Sequence, residues 1–434
     1  MPFPSEPKPW SFYRLGPTKE KELFKRHRDT YDGVVIPAHI ASYYSKFCSE
    51  FIGTLGKPYF IDPLTFIFSN DSSQIRRFVK DKNTGRTKRD RFGNKKKGDV
   101  KRSYLKLVEN EYCEKIKEVV EENRSLNPND FADSKIMEQF VNKVVQFQLT
   151  KLAAIPDKYK KYEKYAKMSG RDMSVSGNPP MCLVAPYFPI TTLNARGWYP
   201  TNIKLIQATK ATSGTIPTFA VVLADTTTLA QHSKQIAEDY SKAGTDGYLL
   251  WPDGFSSDQD TAALRIIFDS VTEFSQTGKP VILMYGDAFS LSLHYAGLAG
   301  FACGICYGEK KLSTQDVDIE GGIPPRYYIR RLKKKVQIET EARRIQIDQY
   351  PDLACTCEIC QRKPDPVTLD DAESREHFML TRAQELIELR NGLTRQQYAG
   401  ILRDAYEEHK NDLLLQPIGH LRNWADILGA GNNE

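Results

Sequence analysis

The sequence predicts an α/β protein built on a (β/α)8 TIM-type barrel, with an inserted structural zinc subdomain and a helical C-terminal tail. Three observations point there. From about residue 180, short continuous apolar runs alternate with segments of helical period, the pattern of a parallel sheet buried on both faces. Several of these runs end in a charged residue, as barrel strands do at their carboxyl ends. Beyond them, Cys355-Thr356-Cys357-Glu358-Ile359-Cys360 places three thiols within six residues, and His377 follows seventeen positions later.

Residues 1–30 are polar and Pro-rich, with a helix expected over 19–28. Gly33-Val34-Val35-Ile36-Pro37 reads as a buried strand, followed by a helix over 41–51. The next apolar run, 59–68, carries Asp62 in its middle. A carboxylate there needs a polar site around it, or burial would neutralise it. Helical spacing covers 103–123 and 133–152. Strands are then expected at 181–185, 219–223, 247–251, 281–285 and 303–307, separated by helices over 202–212, 229–243, 261–276 and 290–298. Asp62, Asp225, Asp253, Asp287 and Glu309 stand at strand exits; Asp225 and Asp287 read as helix caps. The expected barrel region is 1–320, with a basic insertion at about 76–102. Residues 321–434 then hold a basic helix around 326–335, the zinc knuckle and the C-terminal helices.

Three thiols so close together cannot pair with one another without strain, yet all can face one ion. Cys355, Cys357, Cys360 and His377 form a Cys3His set for tetrahedral Zn2+. Pro351 and Pro364 interrupt regular structure on either side, and Phe378, Leu380, Leu386, Ile387 and Leu389 mark a helix that carries the histidine. With four protein ligands the ion is structural, since no position is left for water.

Net charge is +6, but the charge is unevenly spread: thirteen Lys and Arg lie between Arg76 and Arg102, against three Asp. Gly85, Gly93, Asn94 and Gly98 interrupt the run, so it reads as a hairpin-like basic arm. Arg86, Lys88, Arg89, Arg91, Lys95, Lys96 and Lys97, with Phe92 among them, are candidate contacts to a nucleic-acid backbone. Arg330, Arg331, Lys333 and Lys334, interleaved with Tyr327 and Tyr328, are a second candidate. Eight scattered or clustered cysteines argue for a reducing compartment, and neither a signal peptide nor a membrane-spanning run is visible. A cytoplasmic protein is expected.

The zinc motif after a barrel resembles the tRNA-guanine transglycosylase superfamily, including its DNA-acting relatives that insert a 7-deazaguanine. The resemblance runs over about 34–403. Asp62-Pro63-Leu64-Thr65-Phe66 falls on the family's Asp-Ser-Gly-Gly-(Phe/Tyr), which implies that Asp62 is a general acid/base and that Phe66 stacks on the base. The segments 219–224, 246–251 and 279–284 are similar to three further family strands. Gly300-Phe301-Ala302-Cys303-Gly304-Ile305-Cys306 occupies the place of Asp-Met-Phe-Asp-Cys. There the nucleophilic Asp is replaced by Gly304 or Ile305, neither of which can hold a sugar covalently. Leu223 stands for the base-reading Gln, Trp251-Pro252-Asp253 for Gly-Gly-Leu, and Ala185-Pro186 for a further Asp.

The resemblance implies a partner of tRNA or DNA, and a homodimer or a subunit of a larger complex. Three functions are compatible. In the first, a divergent enzyme exchanges or removes a nucleobase, with Asp62 as acid/base and Asp253 or Glu309 as the second carboxylate. The second is a catalytically inactive nucleic-acid-binding subunit of a DNA-modification or phage-defence complex. The third is an unrelated barrel enzyme acting on a small molecule.

Overall fold

In the computed structural model the described residues are 4, 7–16, 20–82, 84, 86–153, 165, 168–169, 178–305, 311–316, 324–345 and 350–429. They contain twelve strands: β1 (Trp10–Arg14), β2 (Gly33–Pro37), β3 (Tyr59–Asp62), β4 (Arg76–Phe78), β5 (Lys97–Val100), β6 (Leu183–Val184), β7 (Thr218–Ala224), β8 (Gly247–Pro252), β9 (Val281–Met284), β10 (Gly300–Cys303), β11 (Arg326–Ile329) and β12 (Lys334–Gln337). Eight of them are parallel neighbours in the order β3-β2-β1-β10-β9-β8-β7-β6. The seam between β6 and β3 is bridged where the Met181 N–H donates to the Tyr59 carbonyl at 2.7 Å. The result is a nearly closed TIM-type barrel with helices between the strands, as the apolar runs required.

The strand that sequence reading passed over is β1. Trp10, Phe12 and Tyr13 are buried, and β1 pairs with both β2 and β10, so it completes the ring. The last strand also starts earlier than expected, at Gly300. A Cβ there would lie 2.8 Å from the Trp10 carbonyl oxygen, so only glycine lets β10 approach β1 closely enough to pair. The expected helix over 103–123 is two helices, Arg102–Glu111 and Glu114–Glu121. Tyr112 breaks it: its backbone is extended, and its hydroxyl donates to the Pro63 carbonyl beside Asp62.

The basic arm is an antiparallel ribbon. β4 pairs with β5, and bridges Lys80 to Thr87 and Arg89 to Lys95 extend it outward. The expected basic helix around 326–335 is instead the hairpin β11–β12, with Tyr327 opposite Val336. Tyr327, Tyr328, Ile329 and Val336 are strand formers buried in the two strands, Pro324-Pro325 precedes them, and the turn ends on Lys333 at φ 49°. No helix among the described residues is long and apolar enough to cross a membrane.

The C-terminal helices Asp371–Arg390, Arg395–His409 and Gly419–Gly429 join the same buried core as the barrel. Arg390 reaches the amino end of the barrel, donating to the Pro9 carbonyl at 2.9 Å and to Asp32 Oδ2 at 2.5 Å. Asp32 in turn accepts from the Ser11 N–H at 2.7 Å, and burial raises its pKa. Arg390→Ala would leave a buried carboxylate without its cation, so a loss of roughly 3 to 5 kcal/mol in unfolding free energy is expected by denaturant titration. An unchanged midpoint would show that the tail is not fastened to the barrel through this pair.

Candidate active site and metal centre

Asp62 ends β3 and is fully buried. Its Oδ1 accepts from the Tyr187 hydroxyl at 2.8 Å and from the Leu64 N–H at 3.1 Å, while Oδ2 accepts from Arg14 Nη2 at 3.1 Å. Arg14 ends β1, and its guanidinium also lies 4.4 Å from the centre of the Tyr285 ring, just past β9. Burial works to lower the Arg14 pKa, but Tyr285, Asp62 and Tyr187 outweigh it and the net direction is up. His39 follows β2, stacks on Tyr104 at 4.5 Å, and is pushed down to about 3 by burial and by the charges of Lys311, Lys101 and Arg14. The carboxyl ends of several strands thus converge on one polar cluster, where chemistry gathers in this architecture.

Lys311 completes it. Its ammonium sits 5.5 Å from the Phe66 ring, 5.6 Å from Trp251 and 5.2 Å from Tyr285, and 3.3 Å from the Tyr285 hydroxyl. Burial first, then the charge of Arg14, lowers its pKa to about 8, against the opposing pull of Asp62 and Asp253. The backbone around the cluster is strained: Leu64 and Tyr285 have φ of 56° and 57°, a region that side chains other than glycine rarely occupy. Such strain is characteristic of functional sites. Arg14 Nη1 and His39 Nδ1 are buried with no hydrogen-bond partner among the described residues.

Asp62 is therefore placed where the sequence put it, but Arg14, His39, Tyr187, Tyr285 and Lys311 were not anticipated. Phe66 is buried, stacked on Tyr187 at 5.7 Å and edge-on to Trp251 at 4.8 Å, so its stacking partners here are the protein's own rings. Asp253 accepts from the Ser313 N–H at 2.6 Å and from its hydroxyl at 2.7 Å, which makes it the anchor of the segment 311–316. Glu309 lies outside the described residues. Between Pro252, Tyr285 and Lys311 the free volume is about 10 Å³.

The arm and the residues just before it meet that same segment. Lys97 pairs with Asp316 at 2.7 Å, Gln74 donates to the Thr314 carbonyl at 2.7 Å, and Asn70 donates to the Ser313 carbonyl at 2.8 Å. Lys97 and Lys95 also lie 4.0 and 4.9 Å from the Phe78 ring. Farther out, Arg86, Lys88, Arg89, Arg91, Lys95 and Lys96 are exposed, and Phe92 is 73% exposed with the Arg91 guanidinium 4.7 Å from its ring.

Each member of the second basic group has a partner inside the chain. Arg330 pairs with Glu388, and Arg331 with Glu408 and Asp352. Lys333 is buried against Glu385 at 2.5 Å, and Lys334 donates to the Leu415 and Gln416 carbonyls at 3.0 Å. An open groove of about 1180 Å³ runs beside these pairs, between the hairpin, the cysteine knuckle and the tail helices.

Cys355, Cys357, Cys360 and His377 come together, with all four ligand atoms within 4.8 Å of one another, so the cluster can hold a metal ion. His377 Nδ1 lies 3.5 Å from Cys357 Sγ and 3.3 Å from Cys360 Sγ. Its Nε2 donates to the Tyr328 carbonyl at 2.8 Å, which fixes the tautomer that leaves Nδ1 free as the ligand. Tyr327 stacks on the imidazole at 4.2 Å. The hairpin expected as a helix thus lines the Cys3His cluster. Asp352, Glu408 and His409 also converge, but Arg331 already pairs with both carboxylates.

No protein-family model matches the chain, and no curated protein matches it. His377→Ala or Cys360→Ser is expected to remove bound metal, measured by emission spectrometry on purified protein, and to lower the melting temperature. Full metal content in either variant would rule the cluster out.

Proposed function

We propose that the protein binds a polynucleotide, tRNA or DNA, through the basic arm and acts on a nucleobase at the carboxyl-end mouth of the barrel, by base exchange or base removal. One observation carries this reading: Lys97 of the arm is ion-paired to segment 311–316, and Asn70 and Gln74, just before the arm, hydrogen-bond to the same segment, which carries Lys311 into the Asp62 cluster. A polyanion-binding ribbon and a buried polar site are thereby one physical unit. The exposed cations around Phe92 suit a phosphate backbone with a ring for stacking. The unpartnered N–H of Arg14 suits a ligand that brings acceptors, because a buried donor without one is costly. The transglycosylase resemblance supports the same substrate class.

The Cys3His cluster is read as structural zinc. For Zn–S of about 2.3 Å and Zn–N of about 2.0 Å, tetrahedral geometry separates S from N by roughly 3.5 Å, close to the spacing of His377 from its neighbouring thiols. The ion would hold the knuckle, β11–β12 and the helix Asp371–Arg390 together. All four positions belong to the protein, so it supplies no chemistry at the mouth.

A second reading, a nucleic-acid-binding subunit without catalysis, is favoured by one feature: the mouth is filled by its own rings, and both Asp62 oxygens are engaged. Release of free base from a polynucleotide, followed by mass spectrometry, separates the two. Glutamate substitution of Arg86, Lys88, Arg89, Arg91, Lys95 and Lys96 together is expected to weaken polynucleotide binding. The slope of log affinity against log salt should fall by about 0.7 to 0.9 for each phosphate that the arm no longer neutralises. Binding and slope equal to wild type would overturn the role of the arm.

A further inference from the structure

We propose that Lys311 supplies the covalent nucleophile that the strand-end position at Gly304 and Ile305 lacks, attacking C1′ of a nucleotide and removing its base. This rests on the nucleobase reading above. The geometry narrows the choice. Of the carboxylates at the mouth among the described residues, Asp62 is held by Arg14, Tyr187 and the Leu64 N–H, Asp253 is held by Ser313, and Asp287 accepts from the Phe289 N–H at the start of the following helix. Among the described residues Lys311 Nζ has one hydrogen-bond partner, the Tyr285 hydroxyl at 3.3 Å, and its stem is enclosed by Phe66, Trp251 and Tyr285. The charged or titratable groups facing it are Arg14 from β1, His39 after β2, Asp62 from β3, Asp253 after β8, and Tyr285 and Asp287 after β9. Burial and Arg14 bring its pKa down to about 8, so about a tenth of the amine is unprotonated at pH 7, whereas an exposed lysine is almost fully charged.

The step balances as follows. The Nζ lone pair forms the N–C1′ bond while the glycosidic bond breaks and its electron pair leaves with the base. The proton shed by the amine passes through the Tyr285 hydroxyl to the departing base. The glycosylamine opens to an imine as its remaining N–H proton moves to the ring oxygen. Water then adds at C1′, returning the free amine and an abasic sugar. Asp62 and Arg14 are positioning residues in this scheme, setting the electrostatic surroundings of Nζ. A nucleotide reaches Nζ only if segment 311–316 shifts, since about 10 Å³ is free beside it.

The imine can be tested without knowing the base. An oligonucleotide with one abasic deoxyribose presents the open-chain C1′ aldehyde, and cyanoborohydride reduces its imine to a stable amine. With the full-length protein, peptide mapping should find Lys311 as a principal adduct. Its own yield should rise as pH goes from 7 to 9 and then level off, because the neutral fraction grows through a pKa of about 8, while its lead over the arm lysines should be greatest near pH 7. Lys311→Arg should cut that adduct at least about tenfold, and Tyr285→Phe, which keeps the amine, should slow it. The wild-type map alone is decisive should either variant fail to fold. Adducts confined to the arm, or a Lys311 yield that keeps rising toward pH 10 like that of an exposed amine, would overturn the proposal. Salt-dependent binding measured on the same samples separates the failures. Intact binding with arm-only adducts removes Lys311 and keeps the nucleic-acid reading, while no binding and no adduct removes both.

Discussion

The arrangement of the barrel mouth depends on one buried ion pair, Arg14 with Asp62. It ties β1 to β3 across β2, and the guanidinium face carries the tie on to Tyr285 past β9. A buried charge pair is rarely the cheapest way to stabilise a fold, because desolvation offsets most of the attraction. Its presence at the carboxyl ends of the strands, among two strained backbone positions, is better explained by the field it sets up. Burial lowers both His39 and Lys311, Arg14 adds to the fall of each, and Asp62 limits how far Lys311 can fall.

From that pair outward the parts are coupled in sequence. Asp253 and the Trp251 indole hold the segment that carries Lys311, the indole N–H donating to the Lys311 carbonyl at 3.2 Å. The arm meets the same segment through the Lys97–Asp316 pair. On the other side, the Cys3His cluster fixes β11–β12 against the helix Asp371–Arg390, whose last residue grips Asp32 at the amino end of the barrel. The cluster, which can hold a metal ion, thus lies on the side of the scaffold that the tail helices fasten to the barrel.

Much of the fold was legible. The continuous apolar strands from 219 onward could be read because burial on both faces forces them to be apolar, and the cysteine knuckle could be read because its ligands are local. Trp10–Arg14 was not, since five residues in a Pro-rich polar stretch gain their burial from neighbours far along the chain. Residues 326–335 misled because their charges suggested a solvated helix, whereas Arg330, Arg331 and Lys333 each meet an acid from the tail helices. For the same reason the site was half visible. Asp62 announced itself as a carboxylate in an apolar run, but Arg14 and Lys311 lie 48 residues before and 249 after it and look ordinary in sequence. A cation immediately after an aromatic strand was the one available signal for Arg14.

The central claim is that nucleic acid bound by the arm delivers a base to this mouth. Photo-crosslinking with an oligonucleotide that carries 4-thiothymine tests it most directly, because the thiobase reacts only with what it touches. Crosslinks are expected in peptides bearing Tyr187, Trp251, Tyr285 or Lys311, abolished at high salt together with those to the arm. Crosslinks restricted to Phe92 and the ribbon, with the mouth untouched, would contradict it.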